Sequence, residues 1–364
     1  MTTHPSPGRA KTLFFQPGER NVFFHLLTAC NLSCRHCYIN PSQHGRGMVT
    51  RRELEQWLEL FAAPDQESNV IFLGGEPTMH PDLVHGVRHA RKLGYRGITI
   101  DTNGFLHHNL LEHLQPEEAV LSFSLDGPTP EINDPIRGAG VFHTCTGNLR
   151  QAVAAGFDVS LIFTASQLNI AHLEQMPALL QELGVNRFFI QVIGIRGKPA
   201  GKAAPPASAP ANAPDQATAP DLDLDPEGKS LQLSPEQWLE IVPRVAADAA
   251  ARGIQTIYPK VYLEADDPFQ CAGVREQNFF IFPNGRVYLC PLCEDFPLHT
   301  WQIENGQLKS NPGLTERQLF TLEIPEGCVM NKLLQPGNII YDHQGRPRHR
   351  ISCCLLKQEM LPLS

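Results

Sequence analysis

Residues 22–38 read VFFHLLTACNLSCRHCY, an apolar run followed by three cysteines that are spaced C-x3-C-x2-C. The apolar run predicts a buried strand, and the cysteines follow in the loop that leaves this strand. Cysteine thiolates are the usual ligands of iron–sulfur clusters, and a short loop can supply several of them. A [4Fe–4S] cluster takes four ligands, so Cys30, Cys34 and Cys37 would leave its fourth iron open to a ligand that is not protein.

The chain then alternates between strand-like and helix-like patterns up to about residue 193. The predicted strands, counting the first one, are 22–28, 69–73, 97–101, 119–125, 157–163 and 187–193. The predicted helices between them are 50–62, 81–93, 105–114, 142–155 and 170–183. Strands that alternate with helices indicate a parallel sheet with right-handed crossovers, either open or curved into a full or partial barrel.

The rest of the chain changes in composition. Residues 198–232 are rich in Ala and Pro and end in an acidic run, which predicts a flexible surface insertion without chemistry of its own. A helix is predicted to begin at Ser234, and a strand-like run covers 254–262. Residues 279–290 predict a hairpin with an Asn-Gly turn. We therefore expect a core domain over residues 20–262 and a small cysteine-rich domain over residues 266–364.

The composition narrows the class of protein. The formal net charge of −8 argues against an extended nucleic-acid surface. No run of about 18 apolar residues is present, and the polar N-terminus lacks the features of a signal peptide. We therefore expect a cytoplasmic protein, in which ten cysteines indicate metal or cluster ligation rather than disulfides. Cys145 stands alone in a helical pattern, which predicts an apolar core residue.

A second motif, Leu73-Gly74-Gly75-Glu76-Pro77, follows the second predicted strand. Two glycines let the backbone approach a ligand closely, and a carboxylate can hold an ammonium group. The cysteine triple followed by this GGEP segment resembles the radical S-adenosylmethionine (SAM) superfamily. The resemblance implies an α/β fold with a partial (β/α)6 TIM-like barrel, a [4Fe–4S] cluster on Cys30, Cys34 and Cys37, and a SAM molecule on the open iron.

Three further segments resemble the same family, namely Asp101 to Gly104, Ser122 to Pro128 and Asn133 to Gly138. They follow predicted parallel strands, whose carboxyl ends are where barrel active sites gather. The resemblance implies that Glu76 binds the amino group of SAM, that Arg137 binds its carboxylate and that His36 lies against its adenine. The SAM-binding residues carried over in this way are His36, Gly75, Glu76, Asn103, Ser124, Arg137 and Val192.

The C-terminal part resembles the SPASM and Twitch domains that many radical SAM enzymes carry. A full SPASM pattern has about seven cysteines for two auxiliary clusters, and this chain has six. Six thiolates are enough for one auxiliary [4Fe–4S] cluster, and a structural zinc is the alternative. Because adjacent cysteines rarely bind the same cluster, we expect only one of Cys353 and Cys354 to bind. The candidate ligands are Cys271, Cys290, Cys293, Cys328, Cys353 and Cys354.

The resemblance implies that the reduced cluster cleaves SAM to a 5′-deoxyadenosyl radical, which abstracts a hydrogen from the substrate. We expect the modification of a peptide or protein, in the manner of a maturase. The alternative is the tailoring of a small molecule or cofactor, such as a tetrapyrrole or a quinone. The unbroken cysteine triple argues against a non-catalytic iron–sulfur scaffold or redox sensor, and the SPASM-like tail argues against an activase that installs a glycyl radical.

The expected partners follow from this chemistry. The cluster needs a low-potential electron donor of the flavodoxin or ferredoxin type, and the substrate is a peptide or a small molecule. Only about twenty residues precede the first strand, which is too few for a fused leader-binding domain, so a peptide would be recognised directly or through a separate protein. We expect binding to neither nucleic acid nor membrane.

Overall fold

The computed structural model describes residues 10–16, 18–63, 67–200, 231–264 and 266–362. The strands of these residues are β1 (Lys11–Leu13), β2 (Arg20–His25), β3 (Ser68–Leu73), β4 (Gly97–Thr102), β5 (Val120–Ser124), β6 (Val159–Ala165), β7 (Arg187–Val192), β8 (Gln255–Pro259), β9 (Tyr262–Leu263), β10 (Gln277–Ile281), β11 (Arg286–Tyr288), β12 (Trp301–Glu304), β13 (Gln307–Ser310), β14 (Arg350–Ile351) and β15 (Lys357–Met360). The α-helices are α1 (Pro41–His44), α2 (Arg51–Phe61), α3 (Leu83–Lys92), α4 (Leu110–His113), α5 (Pro130–Arg137), α6 (Val141–Ala154), α7 (Met176–Leu183), α8 (Pro235–Ala251), α9 (Ala272–Arg275), α10 (Glu316–Phe320) and α11 (Val329–Leu334).

One large sheet contains all of these strands except β9 and β14, in the order β1-β15-β8-β7-β6-β5-β4-β3-β2-β10-β11-β12-β13. The central strands, from β8 to β10 in this order, are parallel. Antiparallel strands extend the sheet at both edges. The predicted class, an α/β fold built on a partial barrel of parallel strands, is confirmed.

All six predicted strands are present, as β2 to β7, and the predicted hairpin is β10 and β11. The helix predicted at 105–114 is shorter, because His108 (φ 55°) and Asn109 (φ 50°) take left-handed conformations that a helix does not allow. The helix predicted at 170–183 starts with a 3-10 turn, and α7 begins only at Met176, just before Pro177. Helix α5 was not predicted at all.

Side chains on the central strands alternate between two faces of the sheet, as the strand period of two residues requires. On β3, for example, Val70 and Phe72 are fully buried beneath the helices, and Phe24 of β2 stacks on Trp57 of α2 at 5.8 Å. Ile71 points the other way and lines a cavity of about 820 Å³ inside the barrel. The inner faces of β2 to β8 and of β10 all contribute to the wall of this cavity.

The C-terminal strands continue the sheet of the barrel. Strand β10 pairs with β2, where the rings of Phe280 and Phe23 stack at 4.4 Å, and β15 pairs with β8. Strand β1 pairs in turn with β15, so residues before the predicted core also border the cavity. The division into domains at 20–262 and 266–364 stays a prediction.

Part of the predicted insertion at 198–232 lies outside the described residues, namely 201–230. Its first residues, Lys198–Ala200, form a 3-10 turn against the cysteine loop, and the backbone N–H of Lys198 donates to the carbonyl of Cys37 at 2.9 Å. Lys198 is therefore part of the site and not of a spacer. Among the helices of the described residues, none is long and apolar enough to span a bilayer.

The barrel strands are expected to carry much of the stability. Leu121 of β5 is fully buried on the helix side of the sheet, so Leu121→Ala should lower the free energy of unfolding by about 2–5 kcal/mol. Leu308→Ala is the matched control, because Leu308 lies on the edge strand β13 and is 37% exposed. Its effect should be about 0.5 kcal/mol or less. Urea unfolding of both variants measures the difference, and equal effects would contradict this account of the core.

A stack of three rings joins β10 to β2 and α1. Phe282 lies between His25 at 4.0 Å and His44 at 3.9 Å, measured between ring centroids. The backbone N–H of Asn40 donates to Nδ1 of His44 at 3.1 Å, so a neutral ring carries its proton on Nε2 and donates it to the carbonyl of Glu294 at 3.1 Å. Burial and then the nearby Arg196 lower the pKa of His44 to about 3.

This neutral histidine makes stability depend on pH. The unfolded chain protonates His44 below about pH 6.5, and the folded chain does so only near pH 3, so stability is lost as the pH falls between these values. Between these pH values, protonation of this residue in the unfolded chain lowers the free energy of unfolding by up to about 1.4 kcal/mol per pH unit. His44→Gln should reduce the pH dependence of the unfolding free energy between pH 6 and pH 5, and His143→Gln, at an exposed position, is the control. An unchanged pH dependence in His44→Gln would contradict the buried neutral state.

Candidate functional site

The cysteine loop, residues 30–37, lies at the carboxyl ends of the parallel strands, and segments that follow four other strands contact it. After β3, the backbone N–H groups of Gly75 and Glu76 donate to the carbonyls of Leu27 (2.9 Å) and Ala29 (3.1 Å), which lead directly into the loop. After β4, the amide of Asn103 donates to the side chain of Asn31 at 2.8 Å. The remaining contacts are Arg35 N–H to the Ile136 carbonyl at 2.9 Å and the Lys198 bond to Cys37. The predicted motif segments therefore meet at one edge of the barrel.

The three thiols of this loop are free and half-buried. Burial raises the pKa of Cys30 to about 12, and it also raises the pKa of Cys34, where the cations Arg137 and Lys198 act in the opposite direction. A metal binds the thiolate form, so cluster assembly has to release these protons. Three soft sulfur donors on one loop, with two cations beside them, fit an iron–sulfur cluster that carries negative charge.

Glu76 is fully buried and connects the segments after β3 and β4. Its Oε1 accepts hydrogen bonds from Thr78 N–H (3.0 Å), Thr78 Oγ1 (2.7 Å) and Thr102 Oγ1 (2.8 Å), and its Oε2 accepts from Asn103 N–H at 2.7 Å. A carboxylate has about four acceptor positions, so Oε2 retains capacity for one more donor. An ammonium group at Oε2 fits this chemistry.

Gly75 is required by backbone packing. A Cβ atom at this position would lie 2.1 Å from the carbonyl oxygen of Ala29, the residue directly before the cysteine loop. The sequence suggested a close approach to a ligand, whereas the structure shows a close approach to the loop that holds the cysteines.

Asp126 lies at the centre of this site, although the sequence indicated it only as part of the Ser122 to Pro128 segment. It is fully buried, its Oδ2 pairs with Arg137 Nε at 2.6 Å and with His36 Nε2 at 3.3 Å, and its Oδ1 accepts from Thr164 N–H at 2.8 Å. Arg137 and His36 are the residues expected to meet the carboxylate and the adenine of SAM. Asp126 therefore orients both side chains. Because it pairs with Nε of Arg137, the two terminal nitrogens of Arg137 remain available to bind an anion.

The other expected SAM contacts are distributed around the same edge. Ser124 ends β5 and is half-buried, and Val192 ends β7 and lines the cavity. The amide of Asn103 also reaches Sγ of Cys30 at 3.6 Å. Asn169 donates to the carbonyl oxygens of Asp126 (3.1 Å) and Thr164 (2.9 Å), which gives it a supporting position. The assignment of these residues to SAM stays a prediction.

The six C-terminal cysteines form one electrostatically connected group. Cys353 influences the pKa values of Cys271, Cys290, Cys328 and Cys354, and Cys290 and Cys293 influence each other. Glu316 accepts from the backbone N–H of Leu289 (2.6 Å) and Cys290 (3.0 Å), so it fixes the segment from which Cys290 and Cys293 project. Cys354 lines the central cavity.

Within the described residues, no three His, Cys, Asp or Glu side chains are placed to hold a single metal ion. The thiolates of an iron–sulfur cluster bind different iron atoms and therefore lie farther apart than the ligands of one ion. The lone Cys145 is fully buried in the main core, as predicted.

A buried polar group joins the two sets of cysteines, and the sequence did not predict it. Arg196, after β7, pairs with Glu294 at 2.6 Å, and its guanidinium lies 5.0 Å from the ring centre of Tyr38. Asp295 accepts from the backbone N–H of Gly197 and from the amide of Asn40, both at 2.9 Å. The segment that follows Cys293 thus holds the residues that follow Cys37.

Comparison with curated proteins gives relatives over about half of the chain. The mycofactocin maturase MftC of Mycobacterium ulcerans (strain Agy99) is 30% identical over 167 residues, which cover 44% of either chain. The AdoMet-dependent heme synthase of Oleidesulfovibrio alaskensis is 27% identical over 188 residues, which cover 50% of this chain and 48% of the synthase. The chain therefore matches less than half of the length of either relative.

Comparison with solved structures shows the same fold over most of the chain. Streptococcus suis SuiB bound to precursor peptide SuiA has a TM-score of 0.61 at 14% identity, covering 87% of this chain and 70% of that chain. Native anSMEcpe with bound AdoMet has a TM-score of 0.56 at 14% identity, covering 90% and 85%. The family model of the radical SAM superfamily matches residues 25–180, which contain the cysteine loop and the segments around Glu76 and Asp126. The chain is therefore similar to the radical SAM superfamily over residues 25–180, and the segments that carry this similarity converge on one edge of the barrel.

Proposed function

We propose that this chain is a radical SAM enzyme that modifies a peptide or protein substrate in the barrel cavity. The observation that carries the proposal is the set of three free thiols, Cys30, Cys34 and Cys37, on a loop fixed at the carboxyl edge of the barrel. One [4Fe–4S] cluster on these thiols would supply the electron that cleaves SAM to methionine and a 5′-deoxyadenosyl radical. His36, Gly75, Glu76, Asn103, Ser124, Arg137 and Val192 are the proposed SAM-binding residues.

The residues of the chain bind, orient and shield the reactants. Oε2 of Glu76 would receive the amino group of SAM, and Arg137, held by Asp126, would present its terminal nitrogens to the carboxylate. His36 and Val192 would contact the adenine. The cavity of about 820 Å³ below this edge lies within the usual size range of ligand pockets.

The names of the similar proteins point to two substrate classes. SuiB was solved with a precursor peptide, and MftC is called a maturase, which supports a peptide substrate. The heme synthase supports the second candidate, in which a tetrapyrrole or another small molecule is modified. Incubation with SAM, a reductant and either candidate peptides or tetrapyrroles, followed by mass spectrometry of the products, separates these classes.

We propose two further components for the reaction. A low-potential flavodoxin or ferredoxin would reduce the first cluster. The C-terminal cysteines would hold one auxiliary [4Fe–4S] cluster, and only one of Cys353 and Cys354 would bind it. Supporting this site, Cys354 and the residues after Cys290 border the cavity in which substrate would bind.

The first test removes one ligand of the proposed SAM-cleaving cluster. Cys34→Ala should abolish the formation of 5′-deoxyadenosine from SAM under dithionite, because two thiolates do not hold the cluster in place. Leu308→Ala is the control, since Leu308 lies on the edge strand β13 and is 37% exposed, and it should retain formation at close to the wild-type rate. Liquid chromatography of anaerobic reactions provides the measurement. Unchanged 5′-deoxyadenosine in Cys34→Ala would overturn the proposed function.

The second test counts the clusters. Anaerobically reconstituted protein should contain about eight irons per chain, and a variant that carries both Cys290→Ala and Cys293→Ala should contain about four. The same variant should keep the electron paramagnetic resonance signal of a reduced [4Fe–4S] cluster. About four irons in the unaltered protein would contradict an auxiliary cluster, and one zinc per chain beside them would favour the structural zinc.

A further inference from the structure

The barrel cavity contains a carboxyl group that the proposed SAM site does not use. Asp101 lies near the carboxyl end of β4 and lines the cavity, whereas its neighbours Ile98 and Ile100 point to the helix side. Ser122 lies beside Asp101 on β5, and Thr99, the next residue of β4 that faces the cavity, lies between Ile71 and Val120. Other side chains of the cavity wall, such as Phe23, Ile162 and Phe189, are apolar.

Within the described part of the chain, the groups that act on Asp101 carry no positive charge that would balance the charge of its carboxylate. Its carboxyl group bonds with the hydroxyl of Ser122 on the neighbouring strand β5, and the other charge that acts on it is the carboxylate of Glu76. Among the described residues, no arginine, lysine or histidine forms an ion pair with it. Burial, which outweighs the Ser122 bond, raises the pKa of Asp101 to about 7.

Ionisable groups line several parts of the cavity, among them Lys11, Glu19, Arg187 and Glu276, and others lie nearer to Asp101. Besides Glu76, Tyr38 extends from the cysteine loop and its hydroxyl bonds with His25 at 2.9 Å. Arg196 lies over Tyr38 and is already paired with Glu294. Lys357 of β15 lines the cavity too, where it contacts Gln191 at 3.4 Å, but its charge does not act on Asp101.

We propose that the barrel cavity binds a substrate group with an apolar body and a cationic, hydrogen-bond-donating end, and that Asp101 receives this end. An amine on an aromatic or aliphatic side chain has this chemistry. A buried carboxylate with one hydroxyl partner is poorly compensated, and a ligand ammonium would supply the missing charge. The inference rests on the proposed function only in taking the cavity as the place where substrate binds.

Binding of benzylamine to the reconstituted full-length protein tests this site, because benzylamine combines an apolar ring with an ammonium group. Benzoate has the same ring and the opposite charge. At pH 8, calorimetric titration should show that Asp101→Asn binds benzylamine at least about tenfold more weakly than the wild type does. Asp248→Asn is the matched control, because Asp248 lies on α8 with a side chain 46% exposed, and it should bind like the wild type.

The affinity should also depend on pH in a defined direction. Asp101 loses its charge as the pH falls through about 7, so wild-type affinity for benzylamine should drop about tenfold from pH 8 to pH 6. Asp101→Asn should show no such drop, and its affinity for benzoate should not fall below that of the wild type.

Stability measurements show whether Asp101→Asn is folded and whether the carboxyl group is buried. The folded pKa of Asp101 lies above its unfolded value of about 3.8, so the wild type loses stability as the pH rises from about 4 to 7. Asp101→Asn should therefore unfold at a higher temperature than the wild type at pH 8, with the difference vanishing near pH 4.

Three results would overturn the inference. They are the absence of benzylamine binding to the wild type up to millimolar concentrations, equal affinities of the wild type and Asp101→Asn at pH 8, and the same pH dependence in both. None of these depends on radical chemistry. A wild-type protein that binds benzylamine through Asp101 but forms no 5′-deoxyadenosine would refute the proposed function and leave this binding site intact.

Discussion

Buried carboxylates hold the cysteine loop in place, and the candidate site depends on them. Within residues 30–37 the backbone makes few hydrogen bonds of its own, such as Cys37 N–H to the Cys34 carbonyl at 3.4 Å. Its shape is instead set by the segments around it, which Glu76, Asp126 and Asp295 fix in turn. A carboxylate can accept several backbone and side-chain donors at once, so each of these residues joins segments that are distant in sequence.

Burying a carboxylate costs free energy, and the hydrogen bonds and ion pairs around the buried carboxylates offset this cost to different degrees. For Glu76, burial outweighs four hydrogen bonds and still raises its pKa. Burial also raises the pKa of Glu294 to about 8, although Arg196 pairs with it. Asp126 is better compensated, because Arg137 and His36 both contact it. Such buried polar groups restrict the loops that carry them to the one arrangement in which their hydrogen bonds are made.

The sequence predicted the strands and the order of the motifs well, because both depend on local patterns. The alternation of apolar residues located β2 to β7, and the parallel sheet then brought the motif segments to one edge. The contacts of Asp295 could not be predicted in this way, since it meets Asn40 across 255 residues of chain. The position of Asp101 in the cavity wall could not be predicted either, because nothing in the local sequence of an aspartate before Thr-Asn-Gly indicates that its side chain lines a cavity.

Because the sheet is continuous, the segments that carry the cysteine loop and the C-terminal cysteines surround the same cavity. Because β10 pairs with β2 and β15 pairs with β8, the C-terminal segments close around the barrel as part of the same hydrogen-bonded sheet. The cavity therefore has Asp101 and Val192 near the cysteine loop and Cys354 on another part of its wall. A sheet resists relative movement of its strands, so the two cysteine groups and any group bound between them keep a defined spacing. Chemistry that needs a reactive radical and a nearby redox partner depends on such fixed distances.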